Sequence, residues 1–283
     1  MVRDRKTTSI FTHQEKYATK VLNRSNHRDA HPVRTTTTKS VKLCLGMRPQ
    51  TDSEKNEMKA IPYREVVGSF MYLMMETRTD LDYFLRERDF RYFNSARKLG
   101  ITLDRIQNVE QYNLQQCLTA YLDAGYANYP DTRRSVGGYI TYMCGSSISW
   151  QSMKHHTVVL YTTEAEYIAL YHCMQELMFL DLLLQELNHN SPHAITIYED
   201  NQSCIKLSYN PELHDRSKHI HIRYCFVQEK VNRKEFDVKY CNTKEMVADI
   251  FTKSLTKTHI SKTTTVTLQL VNKLTIYETL QNK

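Results

Sequence analysis

Four acidic residues in the second half of this chain have types and spacing suited to chemistry: Asp123, Glu166, Asp200 and Asp249. Asp123 closes an apolar run at 118–123 that reads as a strand, and Asp200 follows another at 194–198. Glu166 and Asp249 fall within runs that read as helices, at 163–187 and 244–252. Each has an innocent reading alone. A strand-end Asp forms turns, Glu166 complements a helix N-terminus, Asp200 is a natural N-cap, and Asp249 is a solvated helix residue. In the order strand, helix, strand, helix they gather carboxylates at one point, and like charges stay together only around cations. Hydrolysis of a phosphodiester puts negative charge on the attacking water oxygen and on the leaving 3′ oxygen. Two divalent ions about 3.5–4 Å apart stabilise both and acidify the water. Magnesium takes such hard oxygen ligands, whereas a zinc site would need a His or Cys cluster, and the spacing offers none.

The surrounding pattern predicts the elements that position these groups. Alternating runs at 136–143 and 147–153 meet at Cys144-Gly145-Ser146, a hairpin signal. The run 163–187 is the longest helix, made apolar by Ile168, Leu180, Leu183, Leu184 and Leu187. A β-branched strand at 194–198 precedes Asp200-Asn201, which cap a helix through Leu207. A helix at 220–231, a strand at 236–240 and a short helix at 244–252 follow. The order β-β-β-α-β-α-α-β-α predicts a mixed sheet with helices on it. Upstream, helices are expected at 14–23 and at 63–76, where Val66, Val67, Phe70, Met71 and Met74 recur at helical spacing. Residues 85–104 are basic and weakly periodic, so residues 1–110 are not expected to form a complete domain.

With 283 residues and a net charge of +7, the chain is large enough for a sizeable core and suits a polyanionic partner. The charge is uneven: residues 1–116 hold 21 Lys and Arg against 14 Asp and Glu, and residues 117–260 hold 14 against 16. A basic flank beside an acidic centre fits nucleic acid, because cationic side chains hold phosphates while metals offset carboxylates; a solvated basic surface reads equally well from charge alone. Seven cysteines, odd in number and without CxxC spacing, argue against a disulfide framework and for a reducing, intracellular (cytoplasmic or nuclear) setting. The N-terminus lacks the apolar core of a signal peptide. No apolar stretch is expected to approach the ~20 residues that span a bilayer, so no membrane partner is expected.

At the acidic positions the sequence becomes specific. AYLDAGYANYPDTRRSVGGYI, ISWQS, TTEAEYIAL, YEDNQSCIKL, HDRSKHIHIRYCFVQEKV and VADIFTKSL resemble, in order, the ribonuclease H domain of Ty1/copia-type retrotransposon Pol polyproteins. Upstream, SIFTHQEKYATKVL, HPVRT, IPYREVVGSFMYLMMETRTDLDY and RYFNSARKLGIT resemble the end of the reverse transcriptase and the connection that follows it. The resemblance implies a truncated, mostly helical reverse-transcriptase remnant over 1–111. It implies a ribonuclease H-like mixed five-stranded sheet flanked by helices over 112–260, and a loosely attached tail over 261–283. It implies cleavage of the RNA strand of an RNA–DNA hybrid with two Mg²⁺ ions, Mn²⁺ substituting, and other parts of the polyprotein as partners. Carried over by motif, the site carboxylates are Asp123, Glu166, Asp200 and Asp249, with Glu164 a bystander. His219 of SKHIHIR is the candidate for assisting product release, and His214 is second.

The departures matter too. Where the family reads DADWAGD this chain has Asp123-Ala124-Gly125-Tyr126-Ala127-Asn128-Tyr129, and KHID has become Lys218-His219-Ile220-His221. About two dozen family residues are missing between Phe84 and Tyr92, beyond ordinary loop variation. No Asp-Asp pair is present for a polymerase centre, so polymerase activity is not expected. The competing expectation is a catalytically decayed transposon remnant that acts at most as a nucleic-acid-binding module.

Overall fold

The computed structural model describes residues 1–5, 9–33, 44–59, 62–84, 90–103, 118–189, 193–210, 218–255 and 269–270. These described residues fall into two compact units, those within 1–104, 129–131 and 253–283 making one and those within 105–128 and 132–252 the other.

The first unit holds strands β1 (Val2–Asp4), β2 (Ser9–His13) and β3 (Leu99–Leu103). Its helices are α1 (Glu15–Arg24), α2 (Asp52–Lys59), α3 (Tyr63–Glu76), α4 (Leu81–Phe84) and α5 (Phe90–Ser95). The strands pair antiparallel in the order β1-β2-β3, and Gln269–Leu270 pairs with β3. Helix α3 runs over the residues its periodicity predicts and buries Val66, Phe70 and Leu73. Phe70 meets Phe93 edge-to-face at 4.7 Å between ring centres. Arg78 is wholly buried; its guanidinium forks onto Asp80 at 2.8 and 2.7 Å, and the Tyr92 hydroxyl donates to the same carboxylate at 2.8 Å. Helix predominates here, as expected, and an antiparallel sheet that the sequence reading did not include is also part of the structure. The strands span three to five residues, too few for period-two alternation to register. The Thr-rich run 35–38 lies outside the described residues.

The second unit is built on a five-stranded sheet. Strands β4 (Leu118–Gly125), β5 (Val136–Met143) and β6 (Ser146–Lys154) form an antiparallel meander. Cys144 at φ 50° and Gly145 at φ 82° make the β5–β6 turn, and two positive φ values are what a tight hairpin needs. Helix α6 (Thr162–Glu186) leads to β7 (Ile195–Glu199), α7 (Gln202–Tyr209), α8 (Lys218–Asn232) and β8 (Phe236–Tyr240). The strand order is β6-β5-β4-β7-β8, with β7 parallel to both β4 and β8. This is the mixed five-stranded, helix-flanked arrangement of a ribonuclease H-like fold. Leu118, Ala120 and Leu122 of β4 join Leu170, Cys173, Met174 and Leu177 of α6 and Ile195 and Ile197 of β7 in one apolar core.

Two expectations change here. The helix expected at 244–252 is a pair of 3-10 turns, Thr243–Glu245 and Val247–Phe251. Met246 between them is extended, with ψ 103°, and an extended residue interrupts the helical hydrogen-bond ladder. Helix α6 is long and apolar enough to cross a membrane by length and composition, which corrects the expectation that no stretch reaches that length. Its N-terminal half is buried on the sheet, so it serves as the central core helix.

Candidate active site

The site forms where β4 and β7 end side by side. The two strands are parallel, with Tyr121 level with Tyr198, so Asp123 and Asp200 lie near the same ends of neighbouring strands. Asp123 alternates with the core-facing Leu122 and the half-buried Ala124 and is itself 2 % exposed. Glu166 stands on the second turn of α6 and is 6 % exposed.

Two consecutive glycines seat the covering elements. Gly137 lies opposite Ala124, and a Cβ added there would approach the Ala169 Cβ to 3.1 Å, so α6 can lie close to the sheet one turn beyond Glu166. Gly138 lies opposite Asp123, and a Cβ there would come within 3.0 Å of the Phe251 Cβ. The 3-10 turn that carries Asp249 occupies that space.

These placements bring one carboxylate oxygen each of Asp123, Glu166 and Asp200 within 4.8 Å of one another. The fourth expected member, Asp249, is 3 % exposed on Val247–Phe251 but does not join that oxygen group. Its backbone carbonyl accepts from the Thr252 N–H at 3.2 Å, and the Thr252 hydroxyl donates to Asp123 Oδ2. Asp249 is therefore one short turn from the group and tied to it through Thr252. His219 falls on the first turn of α8 with its side chain outside the described residues, and His214 lies outside them entirely.

Asp200 does not cap a helix. Asn201 does so, its Oδ1 accepting from Ser203 N–H and Cys204 N–H at 3.0 and 3.1 Å. Asp200 is left half-buried, taking a bond from the Thr243 hydroxyl at 2.8 Å. Glu164 also accepts a main-chain bond: its Oε2 takes the Leu160 N–H at 3.1 Å in front of α6. The resemblance takes Glu166 of TTEAEY for the site and leaves Glu164 a bystander, and the fold gives the two glutamates these separate surroundings.

A fifth acidic residue escaped the sequence reading. Glu199, the last residue of β7, is wholly buried; its Oε1 accepts the Asn201 N–H at 2.9 Å, while Oε2 has no hydrogen-bond partner among the described residues. Burial pushes its carboxyl well above the usual range, and the charges of Asp123 and Asp200 push the same way against the Asn201 bond. The only signal was its place before Asp200 at the end of an apolar run.

Two departures in the first motif answer each other. Asn128 replaces the family's Gly, and its Nδ2 donates to the Thr252 carbonyl at 2.8 Å. Gly125 replaces the family's second Asp, and any Cβ there would collide with the Asn128 amide. Tyr126, in the place of Trp, donates to the Leu160 carbonyl at 2.8 Å and braces the approach to α6.

Comparison with known proteins places the chain. It is 36 % identical over 262 residues to the Retrovirus-related Pol polyprotein from transposon TNT 1-94 of Nicotiana tabacum, covering 89 % of this chain and 20 % of that protein. It is 33 % identical over 263 residues to the Pol polyprotein from transposon RE2 of Arabidopsis thaliana, covering 86 % and 17 %. The chain belongs to the copia-type retrotransposon Pol polyproteins. It spans about a fifth of the length of those Pol relatives. No family model matches. Among solved structures it is similar to LC11-RNase H1 from compost, at 15 % identity over 52 % of this chain and 97 % of that one, with a TM-score of 0.38. The ribonuclease H-like assignment of this Pol segment rests on the strand order and directions given above.

Proposed function

We propose that the second unit is a divalent-metal-dependent ribonuclease that hydrolyses the RNA strand of RNA–DNA hybrids. The observation that carries this reading is the meeting of Asp123, Glu166 and Asp200 within 4.8 Å, two of them almost wholly buried. Carboxylates crowded so closely suit hard divalent cations, Mg²⁺ with Mn²⁺ as substitute. Asp123 and Glu166 would hold the buried side of the metal centre, and the half-buried Asp200 the side that solvent and substrate reach. Asp249, buried on its short turn three residues before Thr252, would add a fourth carboxylate beside the set. Bound divalent ions would supply charge stabilisation at the attacking and leaving oxygens and a more acidic water. Discrimination of RNA from DNA would come from the 2′-hydroxyl and the groove shape of the hybrid, not from base identity.

The paired departures at Gly125 and Asn128 support competence, since together they make a bond that seats the Asp249 turn. The second reading, a hybrid-binding module that does not cut, is favoured by one observation: Asp249 stands outside the three-oxygen group. The test is a cleavage assay on the full chain with a labelled RNA–DNA hybrid. Mg²⁺ or Mn²⁺ should release RNA fragments, and Asp200→Asn should lower the rate at least ~100-fold, as expected for loss of a metal-binding carboxylate. Wild-type binding of the hybrid with no fragments would select the second reading.

A further inference from the structure

We propose that Thr252 is a positioning residue for the metal-binding carboxylates, fixing Asp123 in the orientation that lets it share a cation with Glu166 and Asp200. The proposal rests on the metal-dependent reading above and adds a residue to it.

Every polar atom of Thr252 is engaged, and the residue is wholly buried. Its hydroxyl donates to Asp123 Oδ2. The carbonyl of Asp249 lies 3.4 Å from the same hydroxyl, as the more distant acceptor. The Thr252 N–H donates to the Asp249 carbonyl at 3.2 Å, and the Thr252 carbonyl accepts from Asn128 Nδ2 at 2.8 Å. One residue earlier, Ser152 Oγ donates to the Phe251 carbonyl at 2.6 Å. The hydroxyl is thus held from three strand or loop positions before it reaches the carboxylate.

A β-branched side chain is stiff at χ1, so its hydroxyl direction follows from its backbone. A hydrogen bond to an ionised acceptor is among the stronger kinds. Donated to one oxygen of Asp123, it fixes the plane of the carboxylate and therefore the direction of the other oxygen. Without it, the buried Asp123 carboxylate loses one of the contacts that set its plane, and its aim at the cation loosens. Thr252 acts through Asp123 and does not itself face the substrate.

The test separates this role from plain stability and from the cleavage reading. Mn²⁺ is titrated into the full chain, and binding is read from loss of the free-ion paramagnetic resonance signal, which needs no turnover. Thr252→Val keeps the shape and removes the hydroxyl; it should weaken Mn²⁺ binding ~10-fold, the usual scale for a group that orients a metal ligand. Thr252→Ser restores the donor and should bind within about twofold of wild type. Gly145→Ala strains the β5–β6 turn, where φ is +82°, without touching the carboxylates or the Thr252 segment, so it should lower Tm while leaving Mn²⁺ affinity within about twofold. The proposal is overturned if Thr252→Val binds Mn²⁺ like wild type, or if Gly145→Ala loses as much affinity as Thr252→Val. A wild-type chain that binds Mn²⁺ but cuts no hybrid would sink the cleavage reading alone, with Thr252 still judged by the affinities. A wild-type chain that binds no Mn²⁺ would overturn both.

Discussion

Gly138→Ala is the most direct probe of how the site is assembled. A Cβ at this position would fall within 3.0 Å of the Phe251 Cβ and 3.1 Å from the Thr252 Cγ2. Carbon atoms rest at about 3.5–4.0 Å, so the Val247–Phe251 turn would have to retreat by roughly 1 Å. Overpacking of this kind costs about 1–3 kcal/mol. For a domain of this size, about 2 kcal/mol corresponds to a Tm fall of roughly 4–8 °C. The retreat also draws the Thr252 hydroxyl from Asp123 and carries Asp249 away, and a 1 Å misplacement at an active site costs on the order of 100-fold in rate. Thermal melts and hybrid cleavage, measured together, should therefore both fall. Gly145→Ala serves as control: nothing lies within 4 Å of a Cβ there, but its φ of +82° makes the substitution strained, by about 1–2 kcal/mol. That variant should lose stability and keep its cleavage rate. If Gly138→Ala melts within roughly 1 °C of wild type and cleaves normally, the close seating of the Asp249 turn is refuted.

Two further outcomes follow from buried groups. His155 is 1 % exposed, neither ring nitrogen has a hydrogen-bond partner among the described residues, and burial lowers its pKa from 6.5 to about 4, with His172, Arg223 and His156 adding. The unfolded chain takes up this proton below about pH 6.5 while the folded chain resists until about pH 4. The stability from a neutral His155 is thus complete above pH 6.5 and falls by roughly 3 kcal/mol as the pH drops to 4. Denaturant melts of His155→Met between pH 7 and 4 should show a flatter acid limb than wild type; an identical limb would contradict the buried neutral imidazole. Glu164→Ala frees the Leu160 N–H in front of α6 and should cost about 1 kcal/mol, seen as a lower Tm with Mn²⁺ affinity unchanged. A large loss of Mn²⁺ binding in that variant would move the helix carboxylate from Glu166 to Glu164.

Much of the second unit was legible because its signals are long and local. The β5–β6 hairpin follows from two alternating runs around Cys144-Gly145, and α6 from twenty-five residues of sustained helical patterning. The short strands of the first unit offered no such length, and the antiparallel sheet there escaped notice. The expected helix at 244–252 failed because a single extended residue, Met246, splits it into 3-10 turns.

The candidate site divides along the same line. The sequence by itself determined which acidic residues were available and, through motif resemblance, the order in which strands and helices would carry them. The resemblance also chose Glu166 over Glu164, and the fold supplies the physical reason: residues two apart on a helix point about 200° from each other, so packing against the sheet turns Glu164 to the Leu160 amide and Glu166 to the site. Only the three-dimensional structure moved the cap from Asp200 to Asn201, buried Glu199 beside the carboxylates, and held Asp249 one turn outside their group. The physical reason is distance along the chain. Thr252 and Asp123 are 129 residues apart, and no local pattern encodes a hydrogen bond that exists only once a glycine pair has let two remote elements settle on the same strand.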